Sequence, residues 1–213
     1  MTLPVKTPRP YNSAGRRERA EQNQQAVLES ARALFLEYGY ARTTIAAVAA
    51  AAAVSTETIY KSVGSKAGLI RAIYNRGLLG AGTVPAEQRS DLLQAQATDG
   101  RELILALGML TAEIGPLAAP IRMLIRDAAA SDEEMVRLLV EIDHDRHERM
   151  LHNARFMVDR NMLADGITPE FAADVMWFYT APDIYENLVL SRGWSAYEFG
   201  VFVGKAIAAA LGD

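Results

Sequence analysis

The stretch TTIAAVAAAAAVSTETIYKSVGSK, residues 43–66, decides how this chain is read. It holds two short helical segments on either side of an interruption at Val54-Ser55. Residues 46–53 are alanine except for Val48, which favours helix by propensity. Such a helix also lacks the bulk that would hold a second one away. Thr43 or Thr44 can cap the first segment, and Ser55 or Thr56 the second, which runs to about Lys61. Ile45, Val48, Ala49, Val54 and Ile59 supply a small core that fixes the crossing. This is a helix-turn-helix plan, whose second helix enters a major groove.

Upstream, Val27, Leu28, Ala31, Leu34, Phe35 and Tyr38 recur at helical spacing from about Gln22, and Gly39 is placed to end that helix. Residues 1–20 hold three prolines, two of them flanking Arg9, and several arginines but nothing that forms a core, so a flexible basic arm is expected. Downstream, Ser65 can cap a further helix with Leu69, Ile70, Ile73 and Tyr74 on one face, closed by Gly77, Gly80 and Gly82. Beyond Pro85 the helical period continues. Pro116 and Pro120 are expected near a helix start, residues 131–162 as one helix, and Thr168-Pro169 as the next start. Pro182 should kink that element, and Ser195 begins the last one. No alternating strand pattern is found. The expected class is all-α, with about nine or ten helices.

The helix-turn-helix text resembles the DNA-binding domain of the tetracycline-repressor (TetR) family. The matching residues are Ala31, Leu34-Phe35, Glu37, Gly39-Tyr40, Thr43-Thr44, Ile45, Val48-Ala49, Val54-Ser55, Thr58-Ile59-Tyr60, Ser65-Lys66 and Leu69, with order and spacing kept. They span roughly a quarter of the chain. Two positions depart from the family pattern. Ala53 stands where the turn usually has glycine, and Val63 where an aromatic is usual.

The resemblance implies an N-terminal three-helix DNA-binding domain (residues 21–67) joined to a larger helical ligand-binding and dimerisation domain (residues 68–213). It also implies a homodimeric transcriptional regulator, a repressor released from a palindromic operator by a small apolar or amphipathic ligand. A DNA-binding regulator without such an inducer, answering to a protein partner or to nothing, is the alternative, and an all-helical enzyme a remote one. Thr43, Thr44, Tyr60 and Lys66 then grip double-stranded DNA, Thr44, Tyr60 and Lys66 through phosphate oxygens. Ser55, Thr56, Glu57, Thr58 and Lys61 face the bases, and Arg16, Arg17 and Arg19 follow the minor groove or backbone.

Charge agrees with a polyanionic partner at one end. The formal net charge is −4. Residues 1–80 nevertheless carry eleven Lys/Arg against five acids, and the remainder eleven against twenty-one. The first part can face a duplex that the second would be repelled by. The chain has no cysteine, which excludes disulfides and fits a reducing cytoplasm. No run of about 18 uninterrupted apolar residues suggests a membrane span. Phosphate-loop, nucleophile-elbow and dinucleotide patterns are absent, so no catalysis and no cofactor are expected.

In the second domain, Met109, Met123, Met150, Phe156, Trp177, Phe178 and Tyr179 are candidate pocket residues, since flexible and aromatic side chains suit apolar cavities. Arg146 joins them. It falls on the apolar stripe of helix 131–162, so its charge must be ion-paired (Asp183 and Glu186 are candidates), ligand-bound or wet. His144, His147 and Glu148 share a face, which reads as solvated surface rather than a metal site. The resemblance assigns the dimer interface to the last two long helices, here Tyr185, Leu188, Phe199, Gly200, Val203, Gly204 and Ile207. The flat strip at Gly200 and Gly204 equally suits close packing within one chain.

Overall fold

The computed structural model describes residues 13–212, with side chains from Glu18 onward. It contains α1 (Ser13–Arg42), α2 (Ile45–Ala51), α3 (Thr56–Val63), α4 (Lys66–Gly77), α5 (Ala86–Gln96), α6 (Gly100–Ala129) and α7 (Glu133–Asp159). After these come α8 (Pro169–Tyr179), α9 (Pro182–Tyr185), a π turn (Glu186–Leu190) and α10 (Ala196–Leu211). The described residues include no strand, and the fold is all-α as expected.

Short polar side chains start most of these helices. Thr44 accepts from the Ala47 amide, Ser55 from Thr58, Ser65 from Gly68, Asp99 from Glu102 and Thr168 from Phe171. Ser195 and Glu198 close a reciprocal capping box. Each such cap contributes about 1 kcal/mol by satisfying an amide that the helix leaves unpaired. Gly39 breaks α1 with φ 76° and ψ 173°, the stop expected there.

Four sequence expectations need correction. Residues 13–20 of the expected arm are helical, because α1 already begins at Ser13; residues 1–12 lie outside the described residues. The helix expected over 131–162 runs from Glu133 to Asp159, with Asp132 as its cap, accepting from the Glu134 and Met135 amides. Pro182 does not kink one long helix. It occupies the first turn of α9, where its missing N–H costs nothing, after α8 has ended at Tyr179. Pro116 and Pro120 lie well inside α6 rather than at a start. Pro120 cannot donate to the Pro116 carbonyl, and Arg32 of α1 takes that freed acceptor at 3.3 Å.

Two apolar cores run through the molecule. The first joins Phe35, Val48, Ile59 and Ile70 to Ile121 and Ile125 of α6 and Met135 and Leu138 of α7. The helix-turn-helix unit is therefore seated on the α6–α7 pair, and the core crosses the boundary expected at 67/68. The second core holds Leu103, Met157, Met176, Tyr185, Phe199, Val203 and Leu211. At its centre α6 and α10 touch backbone to backbone. A Cβ on Gly108 would lie 2.6 Å from the Gly200 carbonyl oxygen and 2.7 Å from the Gly204 nitrogen. Among the described residues α6 is the one helix long and apolar enough to cross a membrane by composition. Its faces are taken up by α1, α4, α5, α7, α9 and α10.

Candidate functional site

Helix α3 presents its polar side outward. Ser55, Thr56, Glu57, Thr58, Tyr60 and Lys61 are all exposed, Tyr60 by 52%, while Ile59 is fully buried and anchors the helix. Ser55 caps it, and Gly64, at φ 77°, closes it by donating to the Tyr60 carbonyl. A rigid, protruding two-turn helix with hydroxyl, carboxylate, phenol and ammonium groups can reach base edges and phosphates. Glu57 and Lys61 pair at 2.7 Å in open solvent, an interaction weak enough to yield to a better partner. Thr44 is exposed at the start of α2. Arg19 is exposed on α1, and the side chains of Arg16 and Arg17 lie outside the described residues.

Two of the candidate DNA contacts are turned inward. Thr43 is 2% exposed, and its hydroxyl is shared between the Leu34 and Gly39 carbonyls, tying α1 to α2. It leaves the contact set because its polar group is already committed. Lys66 is half-buried. Its ammonium donates to the Tyr40 carbonyl and lies 4.0 Å from the centre of the Tyr40 ring. Burial lowers its pKa, against the raising influence of Asp132. An ammonium has three donors, so a phosphate contact remains open only to those left over.

The same corner ties the unit to the rest of the chain. The Tyr40 hydroxyl donates to Asp132 at 2.9 Å, and Ser65 donates to Glu134 at 3.0 Å. Both acids sit at the N-terminus of α7. Burial, then the bond to Asp132, pushes the Tyr40 phenol up to about 12.

Ala53 adopts φ 54°, a left-handed conformation that Cβ makes costly. The unusual residue in the turn thus keeps the geometry a glycine would give. Ala53→Gly should raise stability by about 0.5–1 kcal/mol, the relief of strain less the added freedom of the unfolded chain. Denaturant unfolding checks this; an unchanged or lower midpoint would show the turn is not strained.

Behind α4 lies a cavity of about 1010 Å³, bounded by α4, α5, α6, α7 and the α8–α10 region. Leu107, Leu110, Ile114, Met150, Met176 and Phe199 give it apolar walls, and Tyr74 of α4 closes one side. Polar groups enter from α7. Arg149 donates to Ser90 at 2.9 Å and Asp91 at 2.6 Å, while the buried Asn153 accepts from Ser90 and Gln94. Arg146 donates to the Trp177 carbonyl at 2.6 Å and the Thr180 hydroxyl at 3.3 Å, with its guanidinium 4.5 Å from the Trp177 ring centre.

Of the candidate pocket residues, Arg146 and Met150 line this cavity. Met109, Met123, Phe156, Trp177, Phe178 and Tyr179 do not. Met109 and Phe178 face outward, Phe156 carries Arg160 on its ring, and Trp177 backs Arg146 from outside. Arg146 is not paired with Asp183 or Glu186, because both acids are held by Arg126. His147 pairs with Asp174 at 2.9 Å, and His144 is exposed. Tyr74, Ser90, Arg149 and Asn153 line the cavity and were not anticipated. The spacing of Arg146, Arg149 and Asn153 along one stripe of α7 was the available signal.

The candidate dimer residues are also relocated. Tyr185, Phe199, Gly200, Val203, Gly204 and Ile207 are buried within this chain, and Leu188 is half-buried against the same core. The Gly200–Gly204 strip is used up by α6. What remains exposed nearby is Phe171, Phe178, Leu190, Trp194 and Tyr197.

Residues 27–73 match the family model described as bacterial regulatory proteins, tetR family. No curated protein sequence matches significantly. Solved structures do. A putative TetR-family transcriptional regulator from Syntrophomonas wolfei superposes with TM-score 0.73 at 17% identity, covering 90% of this chain and 96% of that one. A SmeT–triclosan complex gives 0.71 at 20%, covering 90% and 92%. NalD of Pseudomonas aeruginosa, the secondary repressor of the MexAB-OprM multidrug efflux pump, gives 0.66 at 19%, covering 89% and 95%.

Proposed function

We propose that this protein is a dimeric DNA-binding transcriptional regulator, a repressor released by a small ligand. The match of residues 27–73 to the tetR family model and the fold shared with solved structures described as TetR-family regulators support the reading. The observation that carries the reading is the exposed polar face of α3, held at both ends and propped by Ile59. In this reading Thr44 and Tyr60 take phosphate oxygens, while Thr56, Glu57, Thr58 and Lys61 read base edges.

Two copies are needed to place two such helices about one duplex turn apart. The surface for that pairing is the exposed apolar set Phe171, Phe178, Leu190, Trp194 and Tyr197, rather than the buried face of α10. The cavity supports the ligand half of the proposal, and one neighbour in fold is a complex with triclosan. Tyr74 lines the cavity at one end of α4, and Lys66 and Ser65 hold the other. A ligand pressing on Tyr74 would favour another position of α4 and change the spacing of the two α3 helices. A coupling of about 1–3 kcal/mol makes a useful switch.

Selection of bound duplexes from a random pool tests this. The expected product is a palindrome. Tyr60→Ala should then weaken every duplex alike, by about tenfold, whereas Lys61→Ala should shift the preference at one base pair. A pool that returns no enriched sequence even at low salt would overturn the reading.

A further inference from the structure

We propose that the cavity is built for an amphipathic organic anion, whose carboxylate or comparable oxyanion seats on Arg146 while its apolar body lies along Met150, Met176, Tyr185 and Phe199. This rests on the cavity being the ligand site of the regulator.

Arg146 carries a charge that lacks a counter-charge. Arg146 is carried into the wall by the apolar stripe of α7, between Ile142 and Met150. No carboxylate among the described residues pairs with it. The acids within range are taken: Asp143 is held by two bonds from Arg122, and Asp183 and Glu186 by Arg126. What Arg146 has is one backbone carbonyl, one hydroxyl and an indole face. Each orients the guanidinium without neutralising it. Its Nε is shielded and unbonded, and its Nη2 donates to no described residue. Burial pulls its pKa down to about 10, with Asp143 pulling the other way, so the group stays charged at neutral pH.

The other bases of the lining are either paired or wet: Arg71 pairs with Glu141, Arg149, one turn further along α7, with Asp91 outside the wall, and Arg76 and His152 are exposed. The acids of the lining, Glu87, Asp145 and Glu148, are exposed, so water screens them where it does not screen Arg146. A cationic head against Arg146 would set like charge beside like in a shielded wall. An anion gains the charge-assisted bonds that the wall leaves unmade.

The test uses the full chain with three ten-carbon probes: decanoate, decanol and decylamine. Thermal midpoints and calorimetric affinities are measured for the wild type and for Arg146→Met. The expected result is a decanoate affinity about tenfold above decanol and higher still above decylamine, with the decanoate advantage lost in Arg146→Met and decanol binding retained. Decanoate binding no better than decanol in the wild type would overturn the anion assignment while leaving the ligand cavity standing. It needs no variant to fold. Decanoate preference that survives in Arg146→Met would place the head elsewhere and overturn it too. Absence of any binding by all three would count against both this inference and the ligand half of the proposed function.

Discussion

Gly108→Val is expected to cost the fold several kcal/mol and to lower its denaturant midpoint sharply. Even the first added carbon meets backbone, not side chain: the Gly200 carbonyl oxygen at 2.6 Å, the Gly204 nitrogen at 2.7 Å and the Gly204 Cα at 2.9 Å. Flexible ends could swing aside, but two packed helices have to separate as units. Separation would lift Phe199, Val203 and Ile207 from the second core. A loss of about 3–4 kcal/mol is a fair scale for such overpacking, and a marginally stable domain does not absorb it easily. Gly108→Ala should lie between the wild type and Val. Denaturant melts of the three proteins check the order. A Val variant with a wild-type midpoint would mean that α6 and α10 do not approach this closely in solution.

Arg122→Met should cost about 3 kcal/mol. Arg122 is 7% exposed and bonds Asp143 through both Nε (3.1 Å) and Nη2 (2.6 Å). Removing it leaves a half-buried carboxylate facing the first core, and leaving one partner of such a pair is what costs, more than losing the pair. The double variant Arg122→Met/Asp143→Leu should therefore recover most of the loss. Urea unfolding at neutral pH measures all three steps. A single variant within about 0.5 kcal/mol of wild type would show that Asp143 stays fully hydrated without its arginine.

Much of this architecture can be read locally. The caps at Thr44, Ser55, Ser65, Asp99, Thr168 and Ser195 each depend on one short side chain and an amide two or three residues on, so neighbouring sequence suffices. Gly39 is legible for the same reason: the backbone there reverses within a few residues. The left-handed backbone at Ala53 is not, because an alanine does not by itself announce a positive φ. The exposed face of α3 follows from burying Ile59 alone.

Long-range choices were not legible. A flat strip at Gly200 and Gly204 says that something comes close, yet a second copy and a distant helix fit it equally. Gly108, far away in the chain, is the occupant. Lys66 looked free for a phosphate until the position of Tyr40 was known. Trp177, Phe178 and Tyr179 suggested a pocket by composition, but successive helical residues step by about 100°, so three in a row cannot face one hollow. Met176 and Thr180, four apart, do. Arg146 was foreseen as anomalous because it breaks an apolar stripe. That its acids were claimed by Arg126 depended on how α9 lies against α6.

The carbonyl that Pro120 strands, and that Arg32 grips, has a mechanical consequence. A helix held by an unbroken ladder resists flexing at every rung, whereas α6 has two rungs missing where α1 takes hold. Flexure there sacrifices little internal bonding, and the grip travels with it. One shaft thus forms a wall of the hollow at one end and the seat of the helix-turn-helix unit at the other. Its compliance at that joint sets how far a displacement at one end is felt at the other.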